Sequence, residues 1–268
     1  MPDQSSTNHS LLDHPNVLMV LFHPRPSYPG LTPPANAQDV LIPVAENVVI
    51  GGRFFVADTN AVNLLFFHGN GEIVDDYNDL GPLYNQLGIN FLAVDYRGYG
   101  RSTGTPTTSA MLQDSHAIFQ FVNRWLGDQQ HSGALLVMGR SLGSACVLEL
   151  VQHYPEPIAG LIIESGFAYT GPLLHLIGID TEALGFQESQ GVQNLEKIKT
   201  FAKPTLIIHA ENDHIIPFSD GEALYAASPA ADKRLLKIPQ ANHNTIFAVG
   251  LKEYMAAIQT FAEKFKAS

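Results

Sequence analysis

Five short apolar runs, each ending in residues able to do chemistry, constrain this chain more than any other feature. They read AVNLLFFHG (61–69), INFLAVDYRG (89–98), ALLVMGRS (134–141), IAGLIIES (158–165) and PTLIIHAEND (204–213). None alternates apolar with polar residues, so they read as strands buried on both faces. Such strands need helices above and below them, and the intervening segments provide those. Met111, Leu112, Ile118, Phe119, Val122 and Leu126 fall near helical spacing. Phe247, Leu251, Tyr254, Ile258, Phe261 and Phe265 form one apolar face of a C-terminal helix. Strands alternating with helices give an α/β fold with a mostly parallel sheet covered on both faces.

The flanks of this pattern differ. DVLIPV and VVIGGRFFVA read as two early strands joined by a tight turn, and RLLKIPQ as a weaker last strand. Residues 1–16 read as a loose polar start and FHPRPSYPGLTPP (22–34) as an extended proline-rich stretch. The chain therefore divides into an N-terminal extended segment, 1–37, and one folded domain, 38–268. Residues 167–200 break the strand–helix rhythm and read as a short cap inserted over the carboxyl edge of the sheet.

Bulk chemistry removes several function classes. A formal charge of −11 without any Lys/Arg cluster argues against nucleic acid or anionic membrane as partner. The single cysteine, Cys146, excludes an intrachain disulfide and cysteine-rich zinc modules. The start MPDQSSTNHS has no basic n-region, so no cleaved signal peptide is expected, and the run Val17–Phe22 is too short to span a bilayer. The expectation is a soluble cytoplasmic protein without a transmembrane segment.

In a sheet of this kind ligands bind outside the carboxyl ends of the strands. His68-Gly69-Asn70-Gly71-Glu72 follows the first run, DYRGYGRSTG the second, and Ser141 the third. Asp213 ends the fifth run, and His243 follows the last strand. A serine, an acid and a histidine thus reach one edge in that chain order. Ser141 stands between Gly139 and Gly143, as a sharp strand-to-helix turn requires, because side chains at those positions would collide. Such a turn aims the N–H of Leu142 at a developing oxyanion.

With these motifs in order, the chain resembles the alpha/beta-hydrolase superfamily of serine esterases, lipases and thioesterases, over roughly residues 38–268. HGNGE together with YRGYGRSTG resembles the branch that contains membrane-anchored serine hydrolases and protein-depalmitoylating thioesterases. The resemblance implies that Ser141 is the nucleophile, His243 the general base and then acid, and Asp213 the group that holds the His243 tautomer. It places the oxyanion between the N–H of Leu142 and a loop N–H, that of Asn70 or else Gly71.

Alternatives stay open beside these assignments. Glu211 and Glu164 are other candidates for the acid, and Asp213 for a turn or cap residue. His68 is expected to shape the oxyanion loop, Arg97 and Arg101 to tie down their loop, and Arg140 to form an ion pair or touch substrate. Leu173, Leu174, Leu176, Ile177 and Ile179 are either an acyl pocket or cap core. No metal is expected, since His209, His214 and His243 lack a ligand spacing such as HExxH, and no cofactor is implied. The expected function is hydrolysis of a small-molecule ester or thioester through an acyl-enzyme. A peptidase or acyltransferase using the same triad, and a non-catalytic binding protein on this fold, are the alternatives. Oligomeric state is not encoded in any of these features.

Overall fold

The computed structural model describes residues 11–266. Its eight strands are β1 (Ala37–Ala45), β2 (Val48–Phe55), β3 (Val62–Phe67), β4 (Ile89–Val94), β5 (Leu135–Arg140), β6 (Gly160–Glu164), β7 (Thr205–Ala210) and β8 (Lys233–Ile238). They form one sheet in the order β1-β2-β4-β3-β5-β6-β7-β8. The β1–β2 and β2–β4 pairs are antiparallel and all pairs from β4 to β8 are parallel. The five apolar runs contain the five central strands, β3 to β7, and every residue of those strands is buried. The edge strands β1 and β8 carry exposed positions along their length.

Because successive strand residues point to opposite faces, these runs feed two separate cores. Leu65, Phe67, Val137, Leu161, Ile163 and Ile207 face one core, which also holds α1 (Pro15–Leu21), α3 (Thr108–Asp128), α4 (Gly143–His153), α6 (Asn194–Ile198) and α7 (Phe218–Ala227). Leu64, Phe66, Leu136, Met138, Ile162 and Leu206 face the other, covered by α2 (Gly81–Gln86) and α8 (Ile246–Glu263).

Two helices differ from the sequence expectation. The N-terminal segment is not extended throughout. Pro15–Leu21 is a helix, with Pro15 at its start and His14 Nδ1 accepting from the N–H of Asn16 at 3.3 Å. Docking Val17 and Leu21 into the core supplies the stability that seven residues lack alone. The chain from Phe22 to Asn36 is then extended or turning, as expected, and residues 1–10 lie outside the described residues. In α8, Gly250 leaves helical geometry (φ −123°, ψ 22°), which takes Leu251 off the apolar face and leaves it 38% exposed. A Cβ on Gly250 would stand 2.3 Å from Ile238 Cγ2, so the Ile238 side chain of β8 packs directly on the α8 backbone there.

Between β6 and β7 the chain forms α5 (Thr170–Leu176), a single 3-10 turn at Glu188–Gln190, and α6. Leu174 and Ile179 are buried in the core shared with α4, Leu173 and Ile177 are partly buried against it, and Leu176 is exposed. Among the described residues no helix is long and apolar enough to cross a membrane.

Candidate active site

Ser141 sits where β5 turns into α4. Its φ is +50°, the left-handed region that side chains avoid. The turn is tight enough that a Cβ on Gly139 would lie 2.3 Å from the Gly143 carbonyl oxygen, and one on Gly143 2.1 Å from that of Phe67. Only glycine fits either position. The Ser141 N–H donates to the Glu164 carbonyl at 2.9 Å, which pins the turn to the end of β6.

The base arrives from the loop after β8. The N–H of Asn242 donates to Thr245 Oγ1 at 2.9 Å and that of Asn244 to Asn242 Oδ1 at 3.0 Å, closing a local turn around His243. His243 Nε2 lies 3.1 Å from Ser141 Oγ, and Nδ1 lies 2.8 Å from Asp213 Oδ2. Asp213 accepts the N–H groups of Ile215 and Ile216 on its other oxygen, at 3.0 and 2.8 Å. Burial works against the Asp213 carboxylate, but the His243 bond and these two amides outweigh it and hold its pKa below the usual value. A carboxylate only accepts, so the His243 proton sits on Nδ1 and the Nε2 lone pair faces the serine hydroxyl.

The rival acids are placed elsewhere. Glu164 is fully buried and bonded to Arg140 and, at 2.8 Å, to the Tyr254 hydroxyl. Glu211 is exposed and caps the N–H of Gln240 at 3.0 Å. His209 lies behind the acid, donating from Nε2 to the Ile216 carbonyl at 2.8 Å, and burial lowers its pKa.

The loop after β3 faces the serine turn. Glu72 Oε2 accepts from the Gly69 N–H at 2.7 Å and the Tyr77 hydroxyl at 2.6 Å, while Oε1 accepts Arg140 Nε at 2.7 Å. Burial opposes the Glu72 charge, and Arg140 and Tyr77 overcome it and bring its pKa down to about 2. Asn70 Oδ1 accepts from the Tyr99 hydroxyl at 2.7 Å and from the His23 N–H at 3.0 Å. Gly71, at φ +76°, accepts Arg25 Nε on its carbonyl at 2.7 Å. His68 is buried under this loop, with Nδ1 2.8 Å from the Gly69 carbonyl and Nε2 3.3 Å from Asp95. Leu142 opens α4 beside Ser141.

Arg97 makes a two-pronged bond to Asp114, at 2.7 Å on each side, and Arg101 pairs with Asp39. Cys146 is buried in α4, where burial raises its pKa. The ion pair expected of Arg140 forms with both Glu72 and Glu164, and what the sequence did not reveal is the identity of these partners and the third bond, to the His243 carbonyl. The signal was an arginine before the serine, with an acid after each of two strands. Among the described residues, His116, Glu149 and His153 place ligand-type atoms within 4.8 Å of one another. The Lys197 ammonium already lies 2.5 Å from Glu149 Oε2, so that carboxylate is neutralised by a lysine.

A family model described as "Serine aminopeptidase, S33" matches residues 59–179, from the start of β3 into the segment after β6. Over 201 residues the chain is 32% identical to the lysophosphatidylserine lipase ABHD12 of Macaca fascicularis, covering 68% of this chain and 49% of that one. It is 26% identical over 221 residues to YfhR of Escherichia coli K12, covering 80% and 76% of the two chains. The chain spans about half the length of the lipase it matches, 49%. The esterase Pf2001 of Pyrococcus furiosus superposes with a TM-score of 0.74 at 18% identity, over 91% of this chain and all of its own. The sheet order, the serine turn and these likenesses agree on one lineage, and the chain belongs to the alpha/beta-hydrolase superfamily, among its serine hydrolases.

Proposed function

We propose that the chain cleaves carboxylic esters or thioesters through an acyl-enzyme on Ser141. The observation that carries this is the continuous contact from Asp213 through His243 to Ser141, at 2.8 and 3.1 Å. His243 Nε2 takes the hydroxyl proton as Ser141 Oγ attacks the carbonyl carbon, and Asp213 stabilises the imidazolium that forms. The oxyanion rests on the Leu142 N–H and the Asn70 N–H. Asn70 is favoured over Gly71 because its side chain is held by the Tyr99 hydroxyl and the His23 N–H. The imidazolium gives its proton to the leaving alcohol or thiol, and water activated by His243 then releases the acid.

The matched lipase is named for a lysophospholipid, an ester that carries a single acyl chain. Monoacyl lipid esters are therefore the first physiological class to test. The matched family model is described as an aminopeptidase, which keeps peptide cleavage as the second reading.

The test is hydrolysis of p-nitrophenyl esters from acetate to palmitate, with matched acyl thioesters and aminoacyl anilides, by wild type and Ser141→Ala. Ester or thioester turnover that Ser141→Ala abolishes supports the proposal, and the chain-length optimum sizes the acyl pocket. Turnover of anilides alone replaces it with the peptidase reading. Failure of a fluorophosphonate to label Ser141 in wild type overturns both.

A further inference from the structure

Tyr99, the second tyrosine of YRGYG, has no part in the mechanism above, yet its hydroxyl touches the oxyanion loop. Its side chain is fully buried, with its ring 5.7 Å from that of His68 and 5.6 Å from that of Tyr96. The hydroxyl donates to Asn70 Oδ1 at 2.7 Å and accepts from the His23 N–H at 2.7 Å. A buried phenol needs such partners. Burial also raises its pKa, so it stays a neutral donor at working pH.

The segment before β1 completes the clamp. Arg25 donates to the Gly71 carbonyl at 2.7 Å and pairs with Asp76 just beyond the loop. That segment is anchored to the YRGYG loop, because the Gly100 N–H donates to the Arg25 carbonyl at 2.9 Å and the Ser27 N–H to the Gly100 carbonyl at 3.1 Å. The two residues that could present the second oxyanion donor are thus each held from outside, Asn70 by its side chain and Gly71 by its carbonyl. The loop that carries them contains Gly69 and Gly71 and has little internal stiffness. An oxyanion donor is effective only where it is fixed before charge develops.

We propose that Tyr99, together with Arg25, is a positioning residue that sets the Asn70 N–H at the oxyanion. The segment at 22–28 is then a working part of the catalytic domain and not a leader to it. This inference rests on the serine hydrolase reading.

Tyr99→Phe keeps the ring and removes the hydroxyl. Expected is a fall in kcat of about 10- to 100-fold, less than the loss from deleting a donor outright. KM should stay within about twofold, and the rate of Ser141 labelling by a fluorophosphonate should fall in parallel, since its phosphoryl oxygen enters the same hole. Arg25→Ala should act in the same direction. Asn70→Ala keeps its backbone N–H but loses the tether, so Tyr99→Phe and Asn70→Ala should be strongly non-additive in kcat. A merely structural role would lower the melting temperature and leave kcat of the folded fraction and this coupling unmoved. Should Tyr99→Phe fail to fold, Arg25→Ala decides by the same kcat and KM split. If wild type labels and turns over but these variants keep wild-type kcat, the positioning role is overturned and the hydrolase reading stands. If wild type itself neither labels nor turns over, both fall.

Discussion

Arg140 Nη2 donates to the carbonyl oxygen of His243 at 2.9 Å, so the residue before the nucleophile holds the backbone of the base. The same guanidinium reaches Glu72 in the oxyanion loop and Glu164 at the end of β6. Burial disfavours its charge, but the two carboxylates outweigh that cost and raise its pKa. Arg140→Ala strands Glu164, which has no exposure to water, without its cation. The expected loss is about 3–5 kcal/mol in urea denaturation, the range for breaking a buried ion pair. Activity should fall beyond what unfolding explains, because two loops of the site lose one shared anchor. Stability equal to wild type would contradict this account of the hub.

Ser141 carries its left-handed φ at a cost of about 1–2 kcal/mol, which glycine does not incur. Ser141→Gly and Ser141→Ala should both lose about 10³-fold or more in kcat/KM. Ser141→Gly should also be the more stable of the two by about 1 kcal/mol. Thermal melts of the pair measure this, and the reverse order would mean that the turn relaxes once the hydroxyl is gone.

Asp213 is separated from its rivals by one substitution each. Asp213→Asn puts an amide where His243 Nδ1 needs an acceptor, and kcat should drop by about 10⁴-fold, as for the corresponding change in the serine-protease triad. Glu211→Gln should keep kcat within about twofold, since Glu211 caps a loop N–H at the surface. Parallel kinetics of the two variants decide the assignment.

Acid should unfold this chain through identified carboxylates. Glu72 and Glu149 are each brought from an ordinary 4.5 to about 2, and Asp213 is also lowered. Each binds its proton more weakly in the folded state than in the unfolded one. Their contribution is therefore complete above pH 4.5 and is lost as pH falls toward 2. Melting temperature measured from pH 7 to 3 should fall most steeply below about pH 4.5. Glu72→Gln should be less stable at neutral pH and show a shallower acid limb. An unchanged limb would assign acid sensitivity to other groups.

The central strands were legible because burial on both faces leaves a run with no polar interruption, and β3 to β7 fall inside the five runs. The order of Ser141, Asp213 and His243 was legible because each follows a strand. An ion pair at Arg140 was expected, but its partners were not legible, because they depend on β3 and β6 flanking β5, and that adjacency is set by strand order in space. Helix α1 was missed because a run of a few apolar residues has no measurable period, and its helicity comes from docking Val17 and Leu21. Leu251 was placed on the apolar face because an unbroken helical period was assumed across Gly250, where the helix leaves helical geometry against the Ile238 side chain. The tether from Tyr99 to Asn70 joins residues 29 apart on different strand ends, which no local pattern reveals.

The sheet carries one core on each face, and the proposed triad draws on both. Ser141 is carried by α4, which packs on one core, and His243 leads into α8, which packs on the other. The 3.1 Å approach of Nε2 to Oγ is therefore a coincidence detector for the finished molecule, registering only when both halves have closed. Turnover should be the last property regained on refolding and the first lost on loosening either face, while the bulk of the helices and strands still stands.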